Sequence, residues 1–188
     1  MSEYIAIKNQ KVILDGYSIV PIRHEDRYLI MEWRNEQIYH LRQEKILNKE
    51  DQDSYFDYTI RETFNQDTPS QILFSYLNGD ECIGYGGLVH INWKDKNAEL
   101  SFIMNTSFEN KLFEYHWNNF LNIIELVAFK ELNFHKIYTY AYDLRPKLYK
   151  VLEKNNYILE AKLKDHIFFK KKYIDVLIHS KINGTTSY

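Results

Sequence analysis

The sequence predicts one α/β domain, a mixed and mostly antiparallel sheet with helices on both faces. Three observations carry this. The chain has 188 residues, the size of one domain and too short for two ordinary ones. Its 45% apolar and 27% charged residues exclude disordered, collagen-like and coiled-coil classes. Its periodicity runs from short alternating segments through a long 3.6-residue pattern and back to alternation. The domain is taken as 1–188, with a core over about 17–182.

With 6 Gly and 3 Pro, element boundaries come mostly from periodicity. Residues 17–22 read as an edge strand, because Pro21 cannot donate to a ladder. Tyr28, Leu29, Glu32 and Trp33 have helical spacing over 25–36. A second helix runs over about 51–64 and ends in the polar cluster 65–70. Strands 71–77 and 83–91 flank Asn78-Gly79-Asp80, a strong hairpin signal. A turn over 93–97 leads to strand 98–104. Phe113, Trp117, Phe120, Leu121, Ile124, Val127 and Ala128 make one long amphipathic helix ending near Leu132. Asn133 stands where a left-handed C-cap residue belongs. Strand 137–142 alternates strictly, Tyr138, Tyr140 and Tyr142 against Ile137, Thr139 and Ala141. Arg145-Pro146 opens a short helix to about Lys154, since proline suits a first turn. Strands 157–169 and 172–182 form a hairpin around Lys170-Lys171, and the tail 183–188 is polar and loose.

The 24 basic residues nearly balance the 26 acidic ones, a formal charge of −2, so nothing draws the chain to nucleic acid or an anionic membrane. The start, MSEYIAIKNQ, carries no apolar h-region, and no run approaches 18 apolar residues. The expectation is a cytoplasmic protein. Its one cysteine, Cys82, has no internal disulfide partner and reads as a small buried hydrophobe. His-Glu-x-x-His and Cys-x-x-Cys spacings are absent, so no metal site is expected. Gly84-Tyr85-Gly86-Gly87 lacks the Lys-Ser/Thr that a nucleotide loop needs. Aromatic residues reach 16%, which fits a core that also lines a cleft, or an AT-rich coding bias.

Several segments, taken in order, resemble the GNAT superfamily of acyl-CoA-dependent N-acyltransferases. They are Met31-Glu32-Trp33-Arg34-Asn35, Ile83-Gly84-Tyr85-Gly86-Gly87-Leu88, Ala98-Glu99-Leu100-Ser101-Phe102-Ile103-Met104, Leu132-Asn133-Phe134-His135-Lys136-Ile137, Leu152-Glu153-Lys154-Asn155-Asn156-Tyr157 and Lys172-Tyr173-Ile174-Asp175-Val176. The likeness covers Ile19 to Ile182. It is nearest to the ribosomal-protein alanine acetyltransferases and the sugar-nucleotide amino-acetyltransferases. It implies a splayed central strand pair and acetyl-CoA as co-substrate. The backbone of Phe102, Ile103 and Met104 would pair with the pantetheine arm, like a peptide added to a sheet edge. The family's glycine-rich pyrophosphate loop corresponds to Asn110-Lys111-Leu112-Phe113-Glu114, without glycine. There Asn110 would take a left-handed conformation cheaply, Leu112 or Phe113 at a cost of about 1–2 kcal/mol. Thr106-Ser107-Phe108-Glu109 reads as a capping box that would start the long helix early.

The resemblance also assigns roles. Glu99 is the candidate general base, or else a solvated strand-end carboxylate. The usual catalytic Tyr position holds Leu152, while Tyr149, one turn earlier, either supplies the acid or packs. Arg145 either meets the CoA phosphates or pairs with Asp143. Trp33, Arg34, Arg42, Tyr85 and His90 line the acceptor side, with His90 either relaying a proton or serving structure. The arginines and Trp33 favour an amino sugar on a nucleotide diphosphate over a protein N-terminus. The competing class is a GNAT-shaped scaffold that has lost CoA. A homodimer is compatible with either.

Overall fold

The computed structural model describes residues 2–184. Eight strands form one sheet in the order β1-β2-β3-β4-β5-β6-β8-β7. They are β1 (Val12–Leu14), β2 (Tyr17–Pro21), β3 (Ile72–Asn78), β4 (Glu81–Asn92), β5 (Asn97–Met104), β6 (Lys136–Tyr142), β7 (Ile158–Phe169) and β8 (Lys172–Ile182). All neighbours are antiparallel except β5 and β6. A parallel pair needs a crossover, and here α4 (Phe113–Glu125) with its π-helical continuation Leu126–Glu131 supplies it.

The parallel pair decides the architecture. β5 meets β6 over only three residues each, Asn97–Glu99 against Lys136–Tyr138. Beyond that point β5 stays on β4 as far as Met104, and β6 stays on β8 as far as Tyr142. The two strands diverge, and the sheet opens as a wedge. The branch lies opposite a bulge in β4 between Val89 and Asn92, a device that bends and twists a strand.

Alternation along β5 distributes its side chains to the two faces. Phe102 stacks on Phe120 of α4 with centroids 4.0 Å apart and meets Trp117 at 5.1 Å. On the opposite face, α1 (Arg27–Glu36) reaches the sheet through Arg34, whose guanidinium donates to the Tyr85 hydroxyl at 2.7 Å. After α1 comes α2 (Lys49–Ser54), capped by a reciprocal Asn48–Asp51 box. A π-helical run, Tyr55–Ile60, and α3 (Arg61–Phe64) extend it. The core fills both layers, from Ile19, Ile30, Phe56 and Ile60 to Phe120, Ile124, Val127 and Leu152. Gly86 lets β5 and α4 approach β4 closely: a Cβ there would lie 2.2 Å from the Ser101 carbonyl oxygen and 2.9 Å from the Phe120 ring.

Several expectations hold in detail. Asn133 adopts φ 51°, and Pro146 stands in the first turn of α5 (Pro146–Lys154). Lys170 and Lys171, with φ 47° and 68°, turn the last hairpin. Others are corrected. β2 is not the sheet edge, because β1 pairs with it; β1 begins at Val12, opposite Ile19, so Pro21 still faces only one neighbour, β3. The capping box at 106–109 does not form. Asn105 caps a short 3-10 turn, Thr106–Phe108, by accepting from the Ser107 N–H at 3.0 Å, and α4 starts at Phe113. No residue from 105 to 113 has a positive φ, so this stretch needs no glycine and carries no left-handed strain at Asn110, Leu112 or Phe113. Asn183 is buried and bonded to Phe134 and His135, whereas the rest of the tail beyond Gly184 lies outside the described residues. Cys82 is buried, and burial pushes its thiol up to about 12.

Candidate active site

The wedge between β5 and β6 holds a cleft of about 450 Å3. Its first wall is main chain. The Ala98 bridge faces β6, the Met104 carbonyl accepts from Gln37 Nε2 at 2.9 Å, and the Asn105 N–H turns the other way, to Ile83 of β4. Groups of one residue point to one side and alternate along a strand. Leu100 and Phe102 therefore aim their N–H and C=O groups to the β6 side. The Leu100 N–H closes the last pairing, Glu99 with Tyr138, and Phe102 lies beyond it, where β6 has turned away. Ile103, one of the three residues expected to meet pantetheine, directs its main chain to β4. Met104 has its carbonyl taken by Gln37. Of the three, Phe102 presents an open strand edge.

The branch point carries a charged cluster. Glu99, only 5% exposed, is paired on Oε1 by the Arg42 guanidinium and on Oε2 by His90 Nδ1 at 2.8 Å. Both carboxylate oxygens are thus engaged. Arg42 also lies over the Tyr140 ring, 4.8 Å from its centroid. His90 sits in the β4 bulge with φ 48°, a left-handed conformation that costs a non-glycine residue about 1–2 kcal/mol. The bulge turns its ring to the cleft, and the side chain is 61% exposed.

The remaining wall is aromatic and cationic. Arg34 bridges Tyr85 and Gln43, the latter at 3.0 Å, and Tyr55, Gln71, Tyr140 and Tyr142 complete the surface. Burial raises the phenols of Tyr55, Tyr140 and Tyr142, so they remain donors at neutral pH. His40 is pushed down to about 3 by burial and by the neighbouring Arg145, and stays neutral.

On the cleft wall Arg145, 6% exposed, does not pair with Asp143, which instead faces Lys162. Its Nη2 donates to both oxygens of Glu109, at 2.8 and 3.0 Å. Lys147 adds a third contact to that carboxylate, at 3.2 Å. Nε of Arg145 is buried without a partner. Close by in sequence, α4 begins without a side-chain cap, preceded by the exposed Asn110, Lys111 and Leu112. An uncapped helix start with a lysine before it attracts anions.

The structure therefore gathers Arg34, Arg42, Tyr85, His90, Glu99, Phe102 and Arg145 around one cleft. It does not bring Trp33 there. Ile30 and Trp33 face the core, 1% and 5% exposed, and Arg34, about 100° further round α1, takes the cleft side. Nor does Tyr149 line the cleft. Its hydroxyl donates to the Tyr142 carbonyl at 2.9 Å, its ring stacks on His179, and burial raises it further. An acid role for Tyr149 therefore has no proton aimed at the wedge. Sequence reasoning missed Gln37, His40, Tyr140, Tyr142 and the use of Glu109. Only the Tyr138–Tyr140–Tyr142 alternation held a signal. Among the described residues, no group of three metal-ligating side chains forms a site, and no helix is long and apolar enough to cross a membrane.

Structural comparison finds the same fold at low sequence identity. Spermidine N-acetyltransferase from Vibrio cholerae, solved with CoA and spermine, superposes with a TM-score of 0.77 at 19% identity, covering 90% of this chain and 97% of that one. A dodecameric form of the Vibrio cholerae enzyme gives 0.73 at 20%, over 90% and 95%. A crystal structure described as a putative acetyltransferase gives 0.72 at 12%, over 94% and 88%. The family model for the acetyltransferase (GNAT) domain matches residues 19–178. Together with the wedge and its open strand edge, that match over most of the chain places this protein in the GNAT acetyltransferase family.

Proposed function

We propose that this chain transfers the acetyl group of acetyl-CoA to the primary amine of a small acceptor, by direct attack with both substrates bound. The observation that carries the reading is the wedge, whose wall offers the main chain of Phe102 on an edge that β6 has left. An extended amide-bearing arm adds to such an edge as a strand would. The residues present fit the rest of the ligand: the uncapped start of α4 and Lys111 suit the diphosphate, and Arg145 has an orphaned buried Nε beside them. The cofactor supplies an activated acyl group as a thioester. The protein supplies alignment, which for two bound reactants is worth roughly 7–11 kcal/mol, and a main-chain donor for charge developing on the acyl oxygen.

The cleft's charges bear on the acceptor. Three arginines line it, Arg34, Arg42 and Arg145, against the single carboxylate of Glu99. Arg42 is paired with Glu99 and Arg145 with Glu109, which leaves Arg34 as the arginine without a carboxylate partner. A polyamine such as the spermine bound by the Vibrio cholerae enzyme would meet that cation and no unpaired carboxylate of the cleft. An amine that also carries an anionic group is better matched, and an amino sugar on a nucleotide diphosphate is the leading example. Steady-state turnover of acetyl-CoA against three acceptors, a UDP-linked amino sugar, a short peptide with a free N-terminus and spermine, tests this. The highest kcat/KM is expected on the sugar nucleotide. Turnover on spermine alone would overturn the acceptor reading, and no melting shift with millimolar acetyl-CoA would overturn the activity.

A further inference from the structure

We infer that His90 is the group that takes the proton from the acceptor amine, and that Glu99 acts through it as a positioning residue. The inference rests on the acetyl-transfer reading above and goes beyond it in assigning the base.

Glu99 is poorly placed to collect a proton itself. It is buried, with Arg42 on one oxygen and His90 on the other. A carboxylate ion-paired in this way only accepts hydrogen bonds, so His90 Nδ1 must carry the hydrogen in their 2.8 Å contact. In the neutral ring that contact selects the tautomer. The second ring nitrogen, Nε2, is left with its lone pair on the exposed side of the ring, and the cleft lies there. The arrangement matches a carboxylate that orients an imidazole for general-base work.

The backbone supports the same assignment. A left-handed residue in the middle of a strand weakens the ladder, yet the β4 bulge keeps His90 at φ 48° directly beside the branch of β5 and β6. Observed strain of this kind points to function. The charged and titratable groups around the pair are Arg42, Glu99, and Tyr138 and Tyr140 of β6; both tyrosines are raised chiefly by burial and so remain neutral near pH 7. Arg42 offers charge but no acceptor. His90 is the one group of this cluster with a free basic site facing the cleft.

The step balances. The acceptor nitrogen loses a proton to Nε2, its lone pair forms the N–C bond to the acetyl carbon, and the C–S bond breaks. The sulfur leaves with the bonding pair and is protonated. The proton taken from nitrogen equals the one the sulfur gains, so a neutral amine releases none net. An acceptor that arrives as ammonium first gives one to solvent, which the exposed imidazole reaches directly.

His90→Gly tests this with little risk to folding, because glycine accepts the left-handed conformation freely. With the best acceptor of the panel above, kcat is expected to fall by about 10²–10⁴-fold, the usual worth of a general base. The KM for acetyl-CoA and its melting shift should stay near wild type. Added imidazole should restore part of kcat, and the acid limb of the pH–rate profile should flatten in the variant. Glu99→Gln retains an acceptor for Nδ1 and should lose less. Full activity in His90→Gly with an unchanged pH profile would overturn the assignment while leaving acetyl transfer standing. Wild-type protein that binds acetyl-CoA but acetylates none of the three acceptors would remove the reaction and this assignment together.

Discussion

Glu109 holds Arg145 by both carboxylate oxygens, at 2.8 and 3.0 Å from one guanidinium nitrogen, across 36 residues of sequence. Lys147 closes on the same carboxylate. Two cations are thus matched to an internal anion, in the region where we propose that the CoA phosphates bind. Glu109→Gln keeps the shape and removes the charge. CoA is then expected to bind about tenfold more tightly by calorimetry, equivalent to about 1.4 kcal/mol, while the unliganded protein melts lower for want of a counter-ion. An unchanged dissociation constant would mean that Glu109 never competes with the ligand.

Lys111 is exposed and precedes the uncapped start of α4. Its part in phosphate binding would be that of a solvated point charge, screened over roughly 8–10 Å at 0.10–0.15 M salt. Lys111→Ala should weaken CoA binding at low salt and matter less as salt rises. Its melting temperature without ligand should equal that of the wild type. Equal salt slopes in the two proteins would count against the contact.

His116 and His179 are almost wholly buried, and burial lowers both; His40 is pushed down to about 3. Unfolded histidine takes its proton near pH 6.5. Below that value the unfolded chain binds protons that the folded rings refuse, so stability rises with pH through this window and levels off above it. Each fully buried ring contributes up to about 1.4 kcal/mol per pH unit to the slope. Denaturation midpoints from pH 8 to 5 should be level down to about pH 7 and then fall. A flat curve would show that the rings protonate inside the fold.

Gly86 faces backbone where a Cβ would sit 2.2 Å from the Ser101 oxygen and 2.9 Å from Phe120. Gly86→Ala forces β4 and β5 apart at the root of the wedge. A loss of about 1–3 kcal/mol or more is expected in urea, together with weaker acetyl-CoA binding. Wild-type values for both would show that the strands can yield there.

The last hairpin turns on Lys170 and Lys171, both left-handed, where Asn-Gly is the favoured pair. Replacing them by Asn and Gly should raise stability by about 1 kcal/mol and leave turnover unchanged, since neither residue lines the cleft. A drop in the denaturant midpoint would contradict the reading of this turn as strained.

Much of this molecule is written locally. Asn78-Gly79 sets a hairpin because glycine tolerates a positive φ at that turn. Asn133 ends the long helix, Pro146 starts the next, and alternation marks β6, all through contacts a few residues apart. The 3.6-residue stripe of α4 needs only its own sequence to be recognised. β1 escaped notice because three residues are too few for a period, and it exists only by pairing with β2. The helical phase of α1 is legible in the sequence, but which stripe meets the sheet is not, and Trp33, expected on the acceptor side, lies in the core.

The site divides along the same line. By itself the sequence determined the order of elements, the strand that lines the wedge and most of the side chains near it, because these follow from periodicity and local pattern. Only the tertiary structure decided what those side chains do. Glu99 meets Arg42 across 57 residues, and His90 meets Glu99 through a left-handed bulge. Glu109 abandons a local cap for Arg145, and Tyr149 gives its hydroxyl to Tyr142. The physical reason is that a charged or hydroxyl group takes the strongest partner within about 3 Å. Which groups come that close is set by sheet order, register and the point where β5 and β6 part, and no local run of residues encodes these.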